Sequence, residues 1–165
     1  MKKVPHIISI VASFALILAL FAAYAVAHAP KGNAAPDLSL VPAAPLPSFT
    51  HPLTIGARQI TVALASTPDV QEQGLSGTSS LADGEGMLFV FPTANSIPFW
   101  MKDMRYPIDI IWIGADKTVV DISAGLAPAT YPGKFSSKAM DQYVLEVPSG
   151  FAEQNHIGIG TPVSF

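Results

Sequence analysis

From Leu53 onward the chain alternates short apolar runs with turn residues, a pattern that predicts strands rather than helices. Leu53-Thr54-Ile55 and Ile60-Thr61-Val62-Ala63-Leu64 flank the turn pair Gly56-Ala57. The continuous run Gly86-Met87-Leu88-Phe89-Val90-Phe91, stopped by Pro92, predicts a strand buried on both faces. Ile97 to Met101 and Ile108 to Ile113 predict two more. Gly114-Ala115-Asp116-Lys117 forms a hairpin loop into Thr118-Val119-Val120-Asp121-Ile122. The runs Gly86–Phe91 and Ile108–Ile113 need cover on both faces, so they are expected as neighbouring central strands. Tyr143-Val144-Leu145-Glu146-Val147 alternates, with Tyr143, Leu145 and Val147 on one face.

Two short helices interrupt the strands. Thr67-Pro68-Asp69 reads as N-cap, first helical position and first-turn acid, with Gly74 at the far end. Ser149-Gly150 opens another helix through Phe151 to His156, and Thr161 to Phe165 closes the chain as a last strand. Gly125 to Lys138 shows Gly, Pro and Ser without a period and is expected as a long surface loop. Many short strands and few helices predict a mainly β fold: a single-domain antiparallel sandwich or barrel-like structure with two short helices.

The amino terminus has a different character. Lys2 and Lys3 precede an apolar stretch from Ile7 to Ala27, so residues 1–27 read as a signal peptide or an uncleaved membrane anchor. Both readings place the domain outside the cytoplasm: periplasmic, extracellular, or anchored to the outer face of the cytoplasmic membrane. Pro30, Pro36, Pro42, Pro45, Pro47 and Pro52 mark residues 28–52 as a Pro/Ala-rich linker, leaving 53–165 as the β domain. The 165-residue chain contains no cysteine, which excludes disulfides, thiolate metal sites and a cysteine-borne lipid. A net charge of −3 with scattered lysines offers no basic stripe for nucleic acid, so membrane contact is expected only through the amino-terminal segment.

One succession of motifs carries a family resemblance. Gly74-Leu75, then Gly86–Phe91, Phe99-Trp100-Met101-Lys102, Pro107-Ile108-Asp109-Ile110, Tyr143–Val147 and Gly158-Ile159-Gly160 resemble the family called domain of unknown function 192, over roughly residues 60 to 165. The resemblance implies a compact, mainly β fold in small, often exported bacterial and archaeal proteins, and it implies no activity. The family pattern usually has an arginine before the Gly-Leu pair and a methionine after it, where this chain has Gln71, Gln73 and Ser76. It also usually has asparagine and threonine after the lysine, where this chain has Asp103 and Met104.

Candidate ligand-binding residues are Trp100, Lys102, Asp109, Asp103 and Glu146. On an extended strand Trp100 and Lys102 share one side, so an indole could seat a sugar or planar ring while the ammonium fixes an anionic group. The competing reading makes Trp100 core and pairs Lys102 with Asp109 or Glu146. Asp109 shares a face with Ile111 and Ile113, where a carboxylate must be hydrogen-bonded or paired, with Lys102 or with backbone N–H groups, to fix the turn at Pro107 or to serve a site. No catalytic residue and no metal site is assigned, and no cofactor is expected. The alternative is copper held by Met87, Met101, Met104 and Met140 with His51 and His156, although methionine is mainly a core filler. The expected function is a binding or accessory module for a small molecule or cell-envelope component. The alternatives are a hydrolase using Asp109 and Asp103, or a structural envelope protein without a ligand.

Overall fold

The computed structural model describes residues 42–165, so the expected leader at 1–27 and much of the expected linker lie outside the described residues. Among the described residues no helix is long and apolar enough to cross a membrane. The chain forms β1 (His51–Ile55), β2 (Arg58–Ala65), α1 (Pro68–Gln73), β3 (Glu85–Asn95), β4 (Phe99–Trp100), β5 (Ile108–Ile113) and β6 (Val119–Leu126). A 3-10 turn at Pro128–Thr130 follows, then β7 (Lys134–Phe135), β8 (Asp141–Pro148), α2 (Phe151–Gln154) and β9 (Val163–Ser164). The expected mainly β fold with two short helices is the one observed, its seven-stranded sheet curling into a half-barrel.

The sheet order is β6-β5-β8-β3-β2-β1-β9, and every pairing is antiparallel except β2 with β3. That parallel pair needs a crossover, which α1 and the loop after it supply. The expected adjacency of β3 and β5 is corrected: both are interior, but β8 lies between them. Phe89 faces Val144 across one ladder and Ile111 faces Leu145 across the other, so β8 is the central strand.

Alternation sends side chains to two cores, one on each face of the sheet. Leu88, Ile111, Ile113, Leu145 and Val147 join Phe151 and Ala152 of α2 on the first face. Met87, Phe89, Ile110, Trp112 and Val144 join Met101 and Met104 on the second. Gly86 permits close contact of β3 with β8: a Cβ there would stand 2.9 Å from the Glu146 carbonyl oxygen and 3.2 Å from both Leu145 and Val147 side chains.

Three local expectations change. The strand expected over Ile97 to Met101 shrinks to Phe99–Trp100, because it pairs outside the large sheet with the two-residue β7. The expected loop from Gly125 to Lys138 holds that partner strand and the 3-10 turn, and β6 runs on to Leu126. Contacts with the β domain also begin ahead of Leu53. β1 starts at His51, the Ala44 N–H donates to the Gly77 carbonyl at 2.7 Å, and Phe49 packs against the second core.

Candidate functional site

The site is built by the crossover between β2 and β3. Pro68 starts α1 after Thr67, whose side chain makes no capping hydrogen bond; Gln71 ties the helix down instead. Its Nε2 donates to the carbonyls of Ala65 at 3.1 Å and Val90 at 2.9 Å, fastening α1 to β2 and β3. Gly74, at φ +50, ends the helix where a Cβ would meet the Phe89 ring at 3.4 Å. The chain then turns through Leu75 and Ser76. Between this turn and the β3–β4 connection lies a cleft of about 390 Å³.

Its walls are mostly apolar. Phe89, Phe91 and Phe99 line it together with Ile97 and Met104. Phe99 stands edge-on to Phe89 at 4.9 Å and to Trp112 at 5.4 Å, arrangements aromatic quadrupoles favour. Trp100 also lines the cleft and is 44% exposed, with Tyr131 at 6.4 Å and the Lys134 ammonium 5.3 Å from its ring centre.

Glu146 is the group that sets this cleft apart. It sits on β8 between Met87 and Ile110, points to the second-core face with Val144, and is 5% exposed. Its Oε2 has no hydrogen-bond partner. Burial disfavours the charged form, and with no compensating cation the carboxyl is pushed up to about 8. Burial also raises the Tyr106 hydroxyl; its 2.7 Å hydrogen bond with Thr78 opposes that, and Glu146 and Glu85 add to it. A second buried carboxyl, Asp141, lies at the start of β8 outside the cleft lining, and burial raises it to about 6.

The structure brings Trp100 and Glu146 to one cleft, and places the other expected site residues elsewhere. Asp109 is fully buried and accepts three backbone N–H groups: Gly125 at 2.8 Å, Gly150 at 3.1 Å and Ala152 at 3.0 Å. It therefore joins the end of β6 to the start of α2, rather than fixing the turn at Pro107. Gly125 and Gly150 both adopt positive φ, which presents their N–H groups to one oxygen. Lys102 is exposed in a turn and makes no ion pair with Asp109 or Glu146. The ammonium beside Trp100 belongs to Lys134. Asp103 is exposed at φ 55, and its carbonyl accepts the Gly77 N–H at 2.8 Å.

The copper set is also dispersed. Met87, Met101 and Met104 are buried in the second core, Met140 is 60% exposed, and His51 and His156 are exposed on β1 and beyond α2. Among the described residues no cluster of three or more His, Cys, Asp or Glu side chains could hold a metal. Gln71, Gln73 and Ser76, noted in the sequence only as departures from a family pattern, all line the cleft, as does Glu72. That clustering was the signal available for them.

A mixed, curled sheet with a cleft at its parallel crossover defines a small β domain of one family. Residues 51–165 match domain of unknown function 192, described as an uncharacterized ACR, and the chain belongs to that family. A crystal structure of a protein of unknown function from Novosphingobium aromaticivorans DSM 12444 is similar, with 27% identity and a TM-score of 0.67. The match covers 81% of this chain and all of that one (100%). A candidate transcription regulator from Sinorhizobium meliloti 1021 is similar at 28% identity and a TM-score of 0.65, over 68% of this chain and 91% of that one. No curated protein matches the chain.

Proposed function

We propose that this chain is an exported binding module that takes a small molecule into the cleft between α1 and β4. One observation carries the reading: an apolar, aromatic-walled cleft contains a buried carboxyl group whose Oε2 has no partner. Buried polar groups are normally hydrogen-bonded, and a convergent polar group in an apolar concavity is the usual form of a small-molecule site. Export is supported by the basic start and apolar stretch at residues 1–27. The net charge of −3 argues against nucleic acid as a partner.

The test is a thermal-shift screen of the full chain against sugars, nucleotides, metals, peptidoglycan fragments and amines. A ligand at a hundred times its Kd stabilises by about 2.7 kcal/mol through mass action. The expected result is a compound that raises the midpoint and changes tryptophan emission, with the emission change lost in Trp100→Phe. A hit whose affinity is unaltered by both Trp100→Ala and Glu146→Gln would place binding elsewhere and overturn the reading. A screen with no hit would overturn it too.

A further inference from the structure

We propose that the occupant of this cleft is an organic ammonium ion, an amine carrying a compact apolar body, whose N–H groups donate to Glu146. The inference rests on the ligand-binding reading and narrows it to a chemical class.

The hydrogen-bonding capacity left in the cleft is mostly that of acceptors. Gln71 Nε2 commits both of its N–H donors to the carbonyls of Ala65 and Val90, and Gln73 Nε2 commits one of its two to that of Ser76 at 2.9 Å. The Ser76 hydroxyl donates to the Lys102 carbonyl at 2.9 Å. The main-chain N–H of Gly74 donates to Val70, and that of Ser76 to Gln73. The side-chain oxygens of Gln71, Gln73 and Ser76 therefore stand as acceptors, beside the carboxyls of Glu72 and Glu146. No lysine, arginine or histidine lines the cleft.

Such a lining gives an anion no counter-charge, only two carboxyl groups, of which Glu146 is uncharged while it holds its proton. It suits a ligand that is cationic and rich in donors. The apolar remainder of that ligand has Phe91, Phe99 and the exposed Trp100 to pack against, and an aromatic face also attracts a cation. Lys134 stands over Trp100 but is not part of the lining, so it limits how near a ligand's charge can come to the indole and favours its placement deeper, at Glu146.

The pairing has a pH signature. The groups facing Glu146 are apolar Met87 on β3 and Ile110 on β5, the hydroxyl of Tyr106, and, across the cleft, Glu72 of α1; Glu85 acts on the same tyrosine. None of them supplies a positive charge. Glu146 is protonated in the free protein up to about 8, so binding an ammonium ion must release that proton. An aliphatic amine stays charged to about pH 10. Affinity for the amine therefore rises with pH through the neutral range, approaching tenfold per unit, and levels off above pH 8.

Phenethylammonium, 2-phenylethanol and 3-phenylpropionate make a cationic, neutral and anionic probe set of similar shape. Calorimetric titration of the full chain at pH 6 and pH 8 is expected to show phenethylammonium at least tenfold tighter than the alcohol at pH 8. It should weaken markedly at pH 6, and 3-phenylpropionate should not bind. Glu146→Gln is expected to abolish both the preference and the pH dependence while leaving alcohol binding in place. Equal or tighter binding of the alcohol at pH 8, or a preference that survives Glu146→Gln, would overturn the amine assignment and leave the cleft a binding site. Failure of all three probes overturns it as well, and the broader screen then decides the ligand-binding reading separately.

Discussion

Replacing Glu146 by glutamine keeps the shape of the side chain and removes its titration, so it isolates the energetic consequence of burying this carboxyl without a partner. In the folded chain the carboxyl is raised from 4.5 to about 8. A raised acid means that the native state holds a proton the unfolded state has released, so stability falls as pH rises between those values. Wild type and Glu146→Gln should have similar stability near pH 4, where both side chains are neutral. The variant should then gain relative to wild type with each pH unit, reaching about 3 kcal/mol more at pH 8 than at pH 5 at a conversion of 1.36 kcal/mol per unit. That figure is an upper estimate, because water entering the cleft would soften the penalty. All other titrating groups, Asp141 included, cancel in the difference between the two proteins. Urea unfolding at pH 5, 6, 7 and 8, with both m values unchanged, measures it directly. A difference constant within 0.5 kcal/mol, taken as about the uncertainty of comparing two midpoints, or one that shrinks with pH, would refute the argument that Glu146 is held neutral by desolvation.

The remaining expectations concern the scaffold. Asp109→Ala orphans the buried Ala152 N–H, at roughly 1–3 kcal/mol, and releases the part-buried N–H groups of Gly125 and Gly150, so it should cost about 2 kcal/mol or more by urea unfolding. Asp103→Ala should cost no more than about 1 kcal/mol, from alanine's poorer tolerance of φ 55, and Asp103→Gly should relieve even that; comparable losses at 103 and 109 would contradict the roles drawn from the structure. A chain beginning at His51 should melt several degrees below one beginning at Pro42, since it loses Phe49 from the second core and the Ala44–Gly77 hydrogen bond; equal midpoints would show that residues 42–50 are only a tether.

Elements set by a local pattern are legible in the amino-acid sequence, and those set by distant residues are not. The run Gly86–Phe91 announced an interior strand because residues buried on both faces are apolar without interruption, and Pro68 and Gly74 bracketed α1 through their own backbone geometry. The insertion of β8 between β3 and β5 was hidden. Its alternation resembles that of a strand with one solvated face, when Val144 and Glu146 in fact face a second core. For the same reason Glu146 entered as a candidate beside Lys102, with nothing in the pattern to show that it is buried without a partner. Local chemistry put Asp109 on the correct face, but its ligands come from Gly125 and Gly150, 16 and 41 residues away. The pairing of Trp100 with Lys134 rather than Lys102 depends on a two-residue strand that no periodicity can reveal.

The most direct measurement is the titration of the Glu146 side chain itself, followed by carbon NMR of the labelled carboxyl in the full chain with and without phenethylammonium. A midpoint near 8 in the free protein, falling by more than one unit when the amine saturates the cleft, is the result expected of a buried acid awaiting a cationic ligand. A free-protein midpoint at the ordinary 4.5, or one near 8 that the amine leaves in place, would contradict it.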